Sequence, residues 1–295
     1  MKTRPLLLIL LLLLALTACE KQSARKTLEP GNAVYYWRTD LRLDSADRAF
    51  LGQYHIKKVY CRYFDVVMDD ATGEPKPNAT ISFSDTLPDS IEVIPTVYIT
   101  EDCMHQTHED LAEKIVKRIH QMNETNDIRN VREIQIDCDY TSKSRKRYYD
   151  FLRQISHSSL FTSHFSLLST TIRLHQLAME APPVDYGALM IYNTGDPRKW
   201  EERNPILDFR DVHPYLKRLE GYPLPLAAAY PVFQWTRTIQ GVRVDHTVEA
   251  EEILRVKQAM ESERGDLSRQ IITYHLDKDN IERYKPETYE EIYHH

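Results

Sequence analysis

The sequence predicts an α/β fold, a (β/α)8 TIM-like barrel. Three observations carry this. Segments with strand character alternate with helical segments along the chain, and eight such strands can be counted. Once an N-terminal leader is set aside, about 265 residues remain, the size of one such barrel. Glycine is scarce, with 8 in all, and neither G-x-G-x-x-G nor a phosphate-loop pattern occurs, which argues against an open nucleotide-binding sheet.

The leader reads as an export signal. Lys2 and Arg4 precede an apolar run from Leu6 to Leu16, and small residues follow. The run is too short to cross a bilayer. It ends in "LTAC", the pattern of a bacterial lipobox, in which Cys19 is lipidated and becomes the mature N-terminus. Burial of acyl CH2 groups anchors such a chain, and stable anchoring takes more than one acyl group. The expected division is a signal peptide over 1–18, a lipidated tether over 19–31 and a single barrel domain over 32–295. The expected location is the bacterial cell envelope, at the outer membrane, with the lipid on Cys19 as the membrane partner.

The elements follow in order. Strand one is "AVYYWRT" (33–39), and "DSADRAFLGQY" is its helix, capped by Asp44 or Ser45. Strand two is "IKKVYCRYFDVV" (56–67). Residues 69–90 hold Gly73, Pro75, Pro77 and Pro88, so the barrel is expected to be irregular between strands two and three, with a short strand at "ATISFS". Strand three is "IEVIPTVYIT" (91–100). The helix "THEDLAEKIVKRIHQMNET" carries an apolar stripe at Leu111, Ile115, Ile119 and Met122, with Thr107 and Asp110 in a capping-box pattern. Strand four is "VREIQIDCD" (131–139) and its helix "SKSRKRYYDFLRQIS". Strand five is "FSLLSTTI", with a short helical "RLHQLAM". Strand six is "YGALMIYN", followed by a long excursion over 196–220. Strand seven is "LPLAAAYPVFQW", then a hairpin "TRTIQGVRVDH" and a helix "VEAEEILRVKQAMES". Strand eight is "RQIITYHL", and "KPETYEEIYHH" ends the chain.

Composition removes several function classes. The formal net charge is −6, which disfavours nucleic acid as a partner. Beyond Cys19, the cysteines are Cys61, Cys103 and Cys138, far apart and without metal-type spacing. "HQTHED" (His105, His108, Glu109) lacks the H-E-x-x-H form, so no metal is expected. No cofactor is expected, and no G-x-S-x-G pattern suggests a serine nucleophile. The oligomeric state is not legible.

Barrel chemistry sits at the C-terminal ends of the strands. That rule selects Trp37 and Arg38 from strand one, Arg62 and Asp65 from strand two, and Glu101 from strand three. Strand four gives Asp137 and Asp139, and strand five Arg173, His175 and Gln176. Tyr192 and Asn193 come from strand six, Tyr230 and Trp235 from strand seven. The set is rich in aromatic faces, which stack on pyranose rings, and in carboxylates and amides, which hold hydroxyls. In "IQIDCD", alternation points Gln135, Asp137 and Asp139 one way and Ile134, Ile136 and Cys138 the other. Stacked carboxylates are tolerable only near the open end of a barrel, where the deeper one has a raised pKa. Arg62 and Arg173 are the expected partners if Asp137 is only structural.

"IDCDY" resembles the fourth-strand motif D-G-x-D-x-D-x-E of family 18 chitinases and related glucosaminidases. "LMIYN" resembles their sixth-strand M-x-Y-D/N, and "YPVFQW" is similar to a seventh-strand aromatic segment. The resemblance spans most of the mature chain. It implies Asp137 and Asp139 as the last two Asp residues of the motif, and Tyr192 with Asn193 as the sixth-strand pair that holds a substrate acetamido group. It also marks a departure: Thr141 stands where the family has its proton-donating Glu, and "VIPTVYIT" lacks the family's S-x-G-G. The segments "VYCRYFDV", "IQIDCDYT", "LSTTIRLHQL" and "DYGALMIYNTGD" resemble uncharacterised Bacteroides-type lipoproteins with a glycosidase-like barrel. The resulting expectation is an envelope-anchored barrel that acts on or binds a carbohydrate, with Asp139 and Asp137 as candidate catalytic residues. The alternative is a non-catalytic carbohydrate-binding or scaffold lipoprotein on a degenerate glycosidase barrel.

Overall fold

The computed structural model describes residues 28–199, 202–239 and 242–295. The expected signal peptide, the expected lipidated Cys19 and the expected tether up to residue 27 lie outside the described residues. Among those described, no helix is long and apolar enough to cross a membrane.

The strands, in chain order, are β1 (Gly31–Tyr36), β2 (Asp40–Leu41), β3 (Ile56–Met68), β4 (Pro75–Asn78), β5 (Ser82–Phe83), β6 (Glu92–Ile99), β7 (Glu133–Asp137), β8 (Leu167–Arg173), β9 (Tyr186–Met190), β10 (Leu226–Pro231), β11 (Trp235–Ile239), β12 (Val242–His246) and β13 (Gln270–Tyr274). The helices are α1 (Ser45–Gln53), α2 (Leu111–Thr125), α3 (Arg145–His157), α4 (Ser159–His164), α5 (Phe209–Leu219), α6 (Ala250–Glu263), α7 (Lys278–Ile281) and α8 (Pro286–Ile292). Eight strands run parallel in the order β1-β3-β6-β7-β8-β9-β10-β13. β1 pairs with both β3 and β13, so the sheet closes on itself. This is the predicted (β/α)8 barrel.

The expected irregularity between the second and third barrel strands is real and has a definite form. β3 runs 13 residues, with a register shift between Arg62 and Phe64. Its far end carries β4 as an antiparallel edge. Pro75 and Pro77 fit there because a proline can occupy an edge strand without leaving a ladder bond unmade. The "ATISFS" strand shrinks to β5, which pairs with β2 rather than with the barrel.

Three local expectations are corrected. The third-strand helix begins at Leu111, not Thr107; Asp110 is its N-cap and makes no side-chain cap bond. The seventh strand stops at Pro231, a residue without an N–H to continue a ladder, and the chain loops before β11. "RLHQLAM" becomes a 3-10 turn over Leu174–Ala178.

The interior of the barrel is unusually polar at its N-terminal end. Glu133 is fully buried there. It accepts bonds from Lys58 Nζ (2.9 Å), Ser169 Oγ (2.6 Å) and the Tyr186 hydroxyl. Tyr60 meets Tyr186 at 2.6 Å, and Gln270 Nε2 donates to Tyr60 at 2.5 Å. One turn of the pleat higher, the Tyr35 hydroxyl donates to Gln135 Oε1 at 2.8 Å. Outside, helices α1 to α3 and α6 bury apolar stripes against the strands.

Packing between β8 and β9 leaves no room at Gly187. A Cβ there would stand 2.6 Å from Ile172 Cγ1 and 3.2 Å from Cδ2 of both Leu224 and Leu226. Gly187→Ala is expected to cost about 1–3 kcal/mol by overpacking, read as a lowered midpoint in thermal unfolding; an unchanged midpoint would contradict this packing.

Candidate active site

A cleft of about 1040 Å³ opens at the C-terminal ends of the barrel strands. Its floor is built by β7 and β8. Asp137, the last residue of β7, is 3% exposed and lines the cleft. Its Oδ1 accepts the Thr171 hydroxyl at 2.6 Å. Burial is the main force on this carboxyl and pushes its pKa up to about 6; Arg173 opposes that, and the neighbouring Asp139 charge adds to it. Asp139 sits two residues beyond the strand end, is half exposed, and receives Arg173 Nε at 2.5 Å. The Arg173 guanidinium lies 6.0 Å from the centre of the Tyr192 ring. The floor therefore holds one carboxyl that keeps its proton into weakly acidic solution and one carboxylate fixed in an ion pair.

Aromatic rings form the other side. Tyr274 contacts Trp37 (5.8 Å between centroids), Tyr192 (4.9 Å) and Phe233 (5.4 Å). Trp235 continues the series beside Phe233 at 6.4 Å. Tyr98, facing in from β6, has its hydroxyl pKa pushed up to about 12 by burial and by the Asp139 and Asp137 charges. The Tyr192 hydroxyl and Arg173 Nη1 are both buried without a hydrogen-bond partner.

Of the residues expected from sequence, the structure brings Trp37, Arg62, Asp137, Asp139, Arg173, Tyr192, Asn193 and Trp235 to this cleft. His175 is exposed in a side pocket of about 280 Å³ that shares Asp139, Arg173, Tyr192 and Asn193 with the cleft. Five residues are elsewhere. Asp65 is buried behind Arg62, which holds it through Nε at 2.8 Å and a second guanidinium bond while stacking over Trp37. Arg38 is not among the lining side chains but stands behind the outer rim, 3.9 Å from Asp277. Glu101 enters a 3-10 turn and is taken by the hydroxyls of Thr141 (2.6 Å) and Ser144 (2.8 Å); the Thr141 bond foremost, with Ser144, holds its carboxyl below the usual range against some burial. Gln176 is fully buried, accepting the Arg173 backbone N–H and donating to Tyr140 O, so it caps the turn after β8. Tyr230 is fully buried and does not reach the cleft.

Sequence reasoning did not single out the outer rim. Asp277, Asp279, Asn280, Glu282 and Arg283 after β13, and Arg243 with Asp245 on β12, all line the cleft. The run of polar residues directly following the last barrel strand was the available signal. Among the described residues, no group of three or more His, Cys, Asp or Glu is arranged to hold a metal ion. A larger hollow of about 1290 Å³ lies at the N-terminal end of the barrel, beside Lys57, Lys58 and Gln270. Arg129–Asp127 and Arg132–Glu92 are ion pairs within it, and it lies opposite the face where such barrels work.

The structure is similar to a spore cortex-lytic enzyme, SleL, of Bacillus megaterium QM B1551, with a TM-score of 0.59 at 10% identity over 91% of this chain and 74% of that one. It is similar also to a chitinase from Bacteroides thetaiotaomicron, with a TM-score of 0.57 at 11% identity over 91% of this chain and 99% of that one. The chain shares the barrel fold of a chitinase. At such identity the likeness is one of fold. No known family and no curated protein matches the sequence.

The Asp137 environment has a consequence for stability. The folded state binds this proton more tightly than the unfolded chain, so stability falls as pH rises from about 4 to about 6 and the loss is complete above that. Asp137→Asn is expected to abolish this fall and to stabilise the protein above pH 6 by on the order of 2 kcal/mol. Thermal unfolding at pH 4, 5 and 7 checks it; equal slopes for both proteins would mean that Asp137 titrates normally.

Proposed function

We propose that the protein is an envelope-tethered glycoside hydrolase of the barrel type, with Asp137 as proton donor and Asp139 as the partner carboxylate. One observation carries the reading: a buried carboxyl with pKa pushed up to about 6 stands beside an ion-paired carboxylate at the floor of an aromatic-sided cleft. Environments that set two carboxyls apart in this way assign acid and base roles. The barrel likeness to a chitinase supports a carbohydrate as ligand.

In this reading the aromatic side, with Trp37, Tyr274 and Trp235, receives the apolar face of a pyranose ring. Asp137, protonated below pH 6, gives its proton to the departing glycosidic oxygen. Thr171 holds one carboxyl oxygen, Oδ1, and so fixes the plane of the group. Asp139, steadied by Arg173, bears the negative charge that positive charge developing on the sugar requires, and a water then adds to that carbon and returns a proton to the Asp137 carboxylate. Arg62, immobilised by Asp65 and Trp37, presents donors to hydroxyls. The N-terminal Cys19, once lipidated, holds the barrel at the membrane surface.

The test is a screen of the full chain against aryl glycosides and natural glycans. Hydrolysis is expected, with kcat/KM falling as pH rises through about 6, because the donor loses its proton. Asp137→Asn is expected to lower the rate by about 10²–10⁴-fold, the usual contribution of general acid catalysis. Asp139→Asn should lose turnover while glycan binding persists; an unchanged rate removes Asp139 from the mechanism. Glycan binding by the wild type with no turnover on any substrate supports the binding-only alternative, which the hydroxyl of Thr141 at the motif's acid position favours. Separately, Cys19→Ala is expected to move the protein from the membrane fraction to the soluble fraction of the expressing bacterium; persistence at the membrane would refute the lipid anchor.

A further inference from the structure

Two arginines stand at the floor of the cleft, and each is already held in place. Arg62, in the middle of β3, gives Nε (2.8 Å) and a second guanidinium bond to Asp65 behind it. Arg173, the last residue of β8, gives Nε to Asp139 at 2.5 Å. Both side chains are mostly enclosed, 19% and 18% exposed. Both line the cleft, and both are close enough to Asp137 and Tyr274 to act on them electrostatically.

A guanidinium carries five N–H donors in a rigid fork. The carboxylate beside Arg173 does not use them all. Arg173 Nη1 is buried without a partner. The Tyr192 hydroxyl is buried without one too, on a ring whose centre lies 6.0 Å from the Arg173 guanidinium. Orphaned buried donors are costly until an acceptor reaches them. Arg173 and Tyr192 line both the cleft and its side pocket of about 280 Å³, so the acceptor they lack can come from a ligand.

The hydroxyls of a neutral sugar do not require two enclosed cations. A carboxylate does use them: its two oxygens match the guanidinium fork, and charge-assisted bonds are roughly twice as strong as neutral ones. Asp65 and Asp139 offset part of the arginine charge, but they also lock both forks in position, so less freedom is lost when a further acceptor binds. Asp137 holds its proton below about pH 6 and in that range does not repel an anion. The rim carboxylates Asp279 and Glu282 are exposed, where water and salt screen them.

We propose that Arg62 and Arg173, with the Tyr192 hydroxyl, form a receptor for a carboxylate carried by the substrate, and that the substrate is an acidic glycan containing a uronic acid or another carboxylated sugar. This rests on the carbohydrate reading of the cleft and names the class of sugar.

The experiment measures affinity by calorimetry of the full chain at pH 5. The ligands are oligosaccharides of galacturonate, of mannuronate and of hyaluronan, each set against its own methyl ester, together with neutral glucose and N-acetylglucosamine oligosaccharides of the same length. The ester keeps the sugar and removes the charge. One acid is expected to bind about tenfold or more tightly than its ester. Arg173→Lys and Arg62→Lys keep a positive charge but lose the fork, and each is expected to remove most of that preference. Thermal midpoints check that the variants are folded. Should an arginine variant unfold, Tyr192→Phe removes one orphaned donor, leaves both arginines in place and reads the same ratio; a ratio unchanged there overturns the proposal. Equal affinity for acid and ester, binding confined to the neutral series, or a preference that survives both arginine substitutions also overturns it and leaves the carbohydrate reading standing. If no glycan binds, the carbohydrate reading falls and the receptor with it.

Discussion

Closure of the barrel is the constraint on which the rest depends. Because β1 bonds to both β3 and β13, the sheet has no open edge, and alternate side chains of every barrel strand must enter one enclosed space. On β7 those side chains are Glu133, Gln135 and Asp137, a column of polar groups where a barrel would ordinarily stack Val, Ile and Leu. Each member needs a partner, since a buried polar group without one costs more than a hydrogen bond returns. Glu133 has Lys58, Ser169 and Tyr186; Gln135 has Tyr35; Asp137 has Thr171. The partners come from β1, β3, β8 and β9, so the column also ties the barrel together across its width.

The same column explains why two carboxyls only two residues apart behave differently. Glu133 is compensated by a lysine at hydrogen-bond distance. Asp137 has a hydroxyl in contact and shares the Arg173 charge, whose direct bond goes to Asp139. Burial then pushes the Asp137 pKa up to about 6, so the proton is held only below that pH. Asp139, past the end of the strand and half exposed, meets the largely buried Arg173 from its solvent side, where water screens the Asp139 charge. Depth along one strand, rather than any difference in residue type, separates the two groups.

Much of the fold was legible because apolar periodicity and turn residues report on local structure. The strand–helix alternation placed all eight barrel strands, and the prolines of 69–90 marked the one irregular connection. At the site, the strand-end rule found the β7 and β8 groups, since a parallel barrel leaves little freedom over where a strand ends. It failed where the chain bends immediately after the strand. Glu101 and Gln176 follow β6 and β8 closely, but 3-10 turns carry them into hydrogen bonds with the next loop. Tyr230 failed for another reason: a residue on β10 can face the cleft or be packed away from it, and six buried residues in a row offered no alternation to choose by. The rim of Asp277 to Arg283 was missed because its contribution is tertiary; only the ring of strands brings the end of the chain over the floor.

Thr141 now has a physical account. In the motif that "IDCDY" resembles, this position carries the proton donor. Here its hydroxyl bonds to Glu101, a carboxylate that the Thr141 and Ser144 hydrogen bonds keep charged and that lies outside the cleft. A charged group in that setting has no proton to give, and a threonine hydroxyl has none in the carboxylic range. Under the proposed function the proton must therefore come from deeper in the barrel, from Asp137, the cleft carboxyl whose pKa burial pushes up to about 6.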